Sequence, residues 1–159
     1  MFDVIVRPTH WEQTFHMHAY TYLSFPGTGA EALTYYQYIF GGELELTTYG
    51  ELTGAFPFDP PADALAHGTL VADGLSLAGG DDVMAPTADA LDSRAYSFLL
   101  NYATVAEAEN MLAKFTASGA DLTMPLAPVA WGAHYGQVTD RYGVLWAVNV
   151  PAGSDPAAG

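Results

Sequence analysis

The sequence has 159 residues and no cysteine. Disulfides, thiolate nucleophiles and cysteine-bound zinc are excluded together. Positive charge is nearly as scarce. Arg7, Arg94, Lys114 and Arg141 stand against 18 Asp and Glu, giving a formal charge of −14. The imbalance comes from missing cations rather than acidic runs, and reads as solubility. Such a surface repels phosphate backbones and anionic headgroups, so neither nucleic acid nor membrane is expected as a partner. No apolar run reaches the ~18 residues of a membrane span. Met1 to His10 hold no basic stretch followed by a long apolar one, so no secretion signal is read and the cytoplasm is the expected compartment. No G-x-S-x-G motif marks a serine nucleophile.

Half of the residues are hydrophobic, enough for a buried core. Residues 1–19 read as an arm, in which Phe2, Val4 and Val6 alternate with their neighbours as a short edge strand would before Pro8. A strand over 20–25 follows, then a helix over 30–40 with Ala32, Leu33, Tyr36, Ile39 and Phe40 on one face, stopped by Gly41-Gly42. A strand over 43–49, a proline-rich loop, and strands over 66–72 and 75–78 joined through Asp73-Gly74 complete the unit. The order then recurs: strand 96–102, helix 105–117, strand 121–124, a long loop, and strands 136–140 and 144–150. Residues 151–159 read as a frayed tail. Letters repeat as well, since Thr28-Gly-Ala-Glu-Ala32 matches Thr104-Val-Ala-Glu-Ala108 at an offset of 76 (28 to 104). Thr28 and Thr104 are the expected helix N-caps. The expectation is one α+β domain over 20–150, with module one at about 20–82 and module two at about 95–150.

A duplicated strand–helix–three-strand unit resembles the vicinal-oxygen-chelate superfamily of glyoxalases, bleomycin-resistance proteins and dioxygenases. Tyr22-Leu-Ser-Phe25, Phe40-Gly-Gly-Glu43, His67, Met124-Pro125, Trp131-Gly132, Tyr135-Gly-Gln-Val-Thr-Asp140 and Tyr142-Gly-Val-Leu-Trp146 are similar to its PhnB-like branch. The resemblance implies two βαβββ modules forming a curved mixed sheet around a cavity, and a homodimer. Metal-using members carry His or Glu on the first and last strands of each unit. Counted from the helix motif and from the glycines before the last strands, those positions are Thr21, Ala78, Ser97 and Ala147, none a strong ligand for a divalent ion. No metal or other cofactor is therefore expected.

Within that frame the ligand pocket is expected to be lined by Thr21, Leu23, Phe25, His67, Ser97, Leu99, Trp131, His134 and Tyr135. His67 and His134 are the acid–base candidates, because imidazole titrates near neutral pH. Asp73 or Asp140 could orient them, although Asp140 more simply shapes a turn; Arg141 could balance an acidic loop, the preferred reading, or an anionic ligand. Tyr20, Tyr22, Phe25, Trp131, Tyr135 and Trp146 offer an aromatic wall to a planar ligand, though most such residues are core. Gly27-Thr-Gly29-Ala-Glu-Ala32 fits a dinucleotide fingerprint, but its counterpart 103–108 has no glycine and the parallel βαβ setting is missing, so a tight turn is the better reading. Three functions follow: a protein binding a small organic molecule, with an aromatic one a candidate; a metal-independent enzyme using His67 or His134; or a metal-dependent lyase or dioxygenase-like enzyme with unusual ligands, for which His16 and His18 of the arm, with His10 nearby, are candidates.

Overall fold

Alternation along the first strand sorts its side chains between two environments. The computed structural model describes residues 20–54, 56–84 and 91–155. In it β1 (Thr21–Phe25) buries Leu23 and Phe25 and exposes Tyr22 and Ser24. Helix α1 (Gly29–Phe40), β2 (Glu43–Thr48), a single 3-10 turn (Tyr49–Glu51), β3 (Leu65–Ala72) and β4 (Leu75–Asp81) complete module one. Its sheet order is β1-β4-β3-β2, with β1 parallel to β4 and the other pairs antiparallel. Module two repeats the plan with β5 (Phe98–Asn101), α2 (Val105–Ala117), β6 (Asp121–Pro128), β7 (His134–Thr139) and β8 (Leu145–Val150), in the order β5-β8-β7-β6. The α+β fold of two βαβββ modules stands.

Several details differ from the sequence reading. Strand β4 runs on to Asp81, and β6 continues to Pro128 where a long loop was expected. Prolines 125 and 128 are tolerated there because β6 lies at a sheet edge and its pairing slips around Met124. The expected strand over 2–7 and His10, His16 and His18 lie outside the described residues. Among the described residues the two sheets are not hydrogen-bonded to each other, so they do not form one continuous curved sheet closed around a cavity.

The two helices start differently. Thr104 is extended and makes a capping box with Glu107: its hydroxyl accepts from the Glu107 amide, and the Glu107 carboxylate accepts from the Thr104 amide at 3.1 Å. Thr28 is not extended and makes no side-chain cap bond. The first amide of α1, at Gly29, instead donates to Asp81 Oδ1 at 2.8 Å, while Leu65 N donates to Asp81 Oδ2 at 2.7 Å. The tail is likewise engaged, because Val105 N donates to Asp155 Oδ2 at 2.7 Å.

Both helices bury the same faces 76 residues apart: Ala32 and Ala108, Tyr36 and Leu112, Ile39 and Phe115. The first strands do not share that offset. Leu23 and Phe25 face their helix, as Phe98 and Leu100 face theirs, 75 residues apart. Since a one-residue slip in a strand exchanges its two faces, an offset taken from the helices misplaces the strands.

One core serves both modules. Trp146 of β8 is fully buried, with its indole 4.5 Å from the Phe98 ring, 4.9 Å from Phe40, 5.5 Å from Tyr36 and 5.6 Å from Phe115. Asp140, 4 % exposed, fastens this junction. Its Oδ1 accepts from the Tyr142 and Val144 amides at 2.8 and 3.0 Å, and its Oδ2 from Tyr36 Oη and Trp146 Nε1, both at 2.8 Å. Asp140 does shape the β7–β8 turn, as expected, and it also ties α1 to module two. Burial and the adjacent Asp140 carboxylate push the Tyr36 phenol far up, so Tyr36 remains a donor.

Candidate functional site

Each sheet has one face covered by helix and one face free of it. Across the helix-free face of module one, register aligns Tyr22, Ala78, Thr69 and Glu45 in one row. Ser24 and Gly80 are paired, as are His67 and Thr47, in the next row. The Tyr22 and His67 rings stack with centroids 5.8 Å apart and planes 20° apart. Glycine makes room for Tyr22: a Cβ at Gly80 would lie 2.7 Å from Tyr22 Oη and 2.9 Å from the Ala66 carbonyl oxygen. Near Tyr22, the rings of Tyr49, Phe56 and Phe58 form a second cluster with centroids 5.3 to 6.1 Å apart. Burial, then the proximity of Tyr49 and Tyr20, raises the Tyr22 phenol above its ordinary value. Tyr22 is therefore neutral near pH 7, able both to donate and to accept.

The nine expected pocket residues occupy separate settings rather than one cavity. Leu23 and Phe25 lie on the helix side, Phe25 fully buried, and Thr21 shares their face. Leu23 does meet Ser97, in a crevice of about 20 Å³ that has room for one water. Leu99 and Tyr135 lie on the helix-free face of module two, whose central row is Leu99, Ala147, Gln137 and Met124. Leu99 also borders a cleft of about 590 Å³ beneath the Asp73-Gly74 hairpin. Trp131 stands 69 % exposed between β6 and β7. His134 alternates with Gly136 and the fully buried Val138, so it points to the helix side of its sheet. His67 and His134 thus lie on different sheets and on opposite kinds of face. Asp140 orients neither, since Tyr36, Trp146 and two amides occupy it. Asp73 sits in the hairpin turn. No hydrogen bond to either histidine side chain occurs among the described residues.

The aromatic wall divides too. Phe25 and Trp146 are core, whereas Tyr20, Tyr22 and Trp131 are exposed. Arg141 pairs with Glu31 of α1 at 3.5 Å instead of balancing a loop. The aromatic group of Tyr49, Phe56 and Phe58 was missed, because a proline-rich stretch reads as a connection; the spacing Phe56-Pro57-Phe58 was its only signal.

The rows also test the four ligand positions that the resemblance implies. Ala78 and Ala147 do lie on helix-free faces, but the residue beside Ala78 is Tyr22, not Thr21, and the residue beside Ala147 is Leu99, not Ser97. Methyls, a phenol, a hydroxyl, an amide and a thioether fill these rows, with Glu45 the one carboxylate. That donor set does not fit a divalent cation. Among the described residues, no three His, Asp or Glu side chains converge as metal ligands.

Residues 22–148 match the sequence model of the Glyoxalase/Bleomycin resistance protein/Dioxygenase superfamily. The chain belongs to that superfamily. Among its relatives, Protein YjdN of Escherichia coli (strain K12) is 29% identical over 144 residues, covering 81% of this chain and 92% of that protein. The crystal structure of protein PA1353 from Pseudomonas aeruginosa superposes with a TM-score of 0.69 at 31% identity, over 86% of this chain and 98% of that one. The PhnB protein from Bacillus cereus shares the fold at 21% identity, with a TM-score of 0.62 over 85% and 100% of the two chains. Superfamily membership accounts for the paired modules and the two helix-free faces. No helix among the described residues is long and apolar enough to cross a membrane.

Proposed function

We propose that this superfamily member is a cytoplasmic, PhnB-like binding protein that holds a small planar organic molecule on the helix-free face of module one, without the metal site used by catalytic relatives. The observation that carries this reading is the Tyr22–His67 stack over Gly80. A flat ring can extend that stack, and imidazole and phenol supply directional hydrogen bonds at its edge. Binding is favoured over acid–base catalysis because, among the described residues, no carboxylate fixes the tautomer or orientation of His67. The likeness to the PhnB protein supports the branch assignment.

A thermal-shift screen with planar aromatic compounds tests the reading. A true ligand at 100 times its Kd adds about 2.7 kcal/mol, or roughly 5–11 °C in Tm for a chain of this size. That shift should vanish in His67→Ala and Tyr22→Ala and persist in His134→Ala. Hits that survive both of the first two substitutions place the ligand elsewhere.

The same reading includes a homodimer. Among the described residues, β1 and β5 each end a sheet with an unpaired edge, and Tyr20, Tyr22, Tyr96 and Leu99 stand exposed on or beside them. Bare apolar edges are aggregation-prone unless covered, and a second copy can cover both. Sedimentation velocity should give twice the 16.9 kDa chain mass. A monomer persisting at high protein concentration rejects the dimer.

A further inference from the structure

A shallow, open cleft of about 620 Å³ lies away from the Tyr22–His67 face. It lies where α1, the end of α2 and the β7–β8 turn meet, and its walls include Glu31, Thr34, Tyr35, Tyr38, Ser118 and Arg141. The Arg141 guanidinium is held between aromatic rings, 4.5 Å from the Tyr35 centroid and 5.1 Å from Tyr142. Its Nη2 donates to Tyr142 Oη at 3.0 Å, and Tyr142 Oη in turn donates to Glu31 Oε1 at 2.8 Å. The direct Arg141–Glu31 approach is only 3.5 Å, with side chains 43% and 68% exposed, so that pair holds weakly.

These contacts leave binding capacity facing the cleft. A guanidinium carries five N–H donors, and those on Nε and Nη1 have no acceptor among the described residues. Glu31 Oε2 has no donor there either. Ser118 Oγ gives its proton to the Phe115 carbonyl at 2.7 Å, so Tyr35 Oη donates to Ser118 and keeps its own lone pairs free. Tyr38, 63 % exposed, adds an aromatic wall. A fixed cation and a carboxylate thus sit side by side on one wall, in a chain whose negative charge disfavours a simple anion.

We propose that this cleft binds a small zwitterion of the α-amino acid type, its carboxylate on Arg141, its ammonium on Glu31 and its side chain against Tyr38. The guanidinium fork matches a carboxylate, and the ammonium offsets the repulsion that Glu31 and the acidic surface would impose on a lone anion. The site is independent of the Tyr22–His67 face, so either assignment can fail alone.

Titration of isotopically labelled protein with L-phenylalanine, 3-phenylpropionate and 2-phenylethylamine, followed by NMR, tests the proposal. Saturable shifts with L-phenylalanine are expected at residues 31, 34, 35, 38, 118 and 141. The two single-charge analogues should bind more weakly. Arg141→Gln and Glu31→Gln, both on the surface, should each raise the Kd for L-phenylalanine about ten-fold, the effect of losing one charged hydrogen bond. No saturable shift with any probe overturns the proposal, as does equal affinity for 3-phenylpropionate or unchanged binding by Arg141→Gln.

Discussion

Replacing Asp140 by alanine is expected to lower stability by about 3–5 kcal/mol, because buried donors left without an acceptor cost about 1–3 kcal/mol each and partial relaxation recovers some of the sum. Four donors lose their acceptor at once: Tyr36 Oη, Trp146 Nε1 and the amides of Tyr142 and Val144. Water cannot replace the carboxylate without opening the junction, because Tyr36 and Trp146 are both fully buried. For a chain of this size the loss corresponds to roughly 6–20 °C in Tm by calorimetry. Asp140→Asn keeps the shape but turns an NH2 group toward donors, so an intermediate loss is expected. A Tm within a degree of wild type for Asp140→Ala would show that the cluster contributes little.

Trp146→Ala is expected to cost about 3–5 kcal/mol, the range for truncating a buried tryptophan. The indole meets aromatic side chains from α1, β5 and α2, so its removal opens a void shared by both modules. Near-UV circular dichroism should weaken and Tm fall by roughly 6–20 °C. The effect should not add to that of Asp140→Ala, because the two residues are bonded to each other and either substitution removes that bond. Full additivity in the double variant would mean that the two residues act separately.

Much of the fold was legible because its signals are local and redundant. Glycine pairs, Asp73-Gly74, the helical stripe of Ala108, Leu112 and Phe115, and the repeated Ala-Glu-Ala segments each point to one element boundary or face. The site was less legible because faces, not elements, decide it. Leu23 and Tyr22 are adjacent in sequence yet belong to the core and to the open sheet, and an error of one residue exchanges them. Letters alone also made Thr28 and Thr104 equivalent caps. The geometry separates them, since a cap needs an extended backbone as well as a hydroxyl. Asp140 was read as a turn residue because nothing in its neighbourhood announces a bond to Tyr36, 104 positions earlier.

The difference in how the helices begin bears on the order in which the chain assembles. The reciprocal bonds at the start of α2 span three residues, so that end can form as soon as its own segment condenses. The corresponding end of α1 waits for a carboxylate 52 positions downstream, and the entropy of closing that loop must be met first. The two helix starts therefore differ in range, three residues for α2 against 52 for α1, which makes the later helix the more locally determined of the pair.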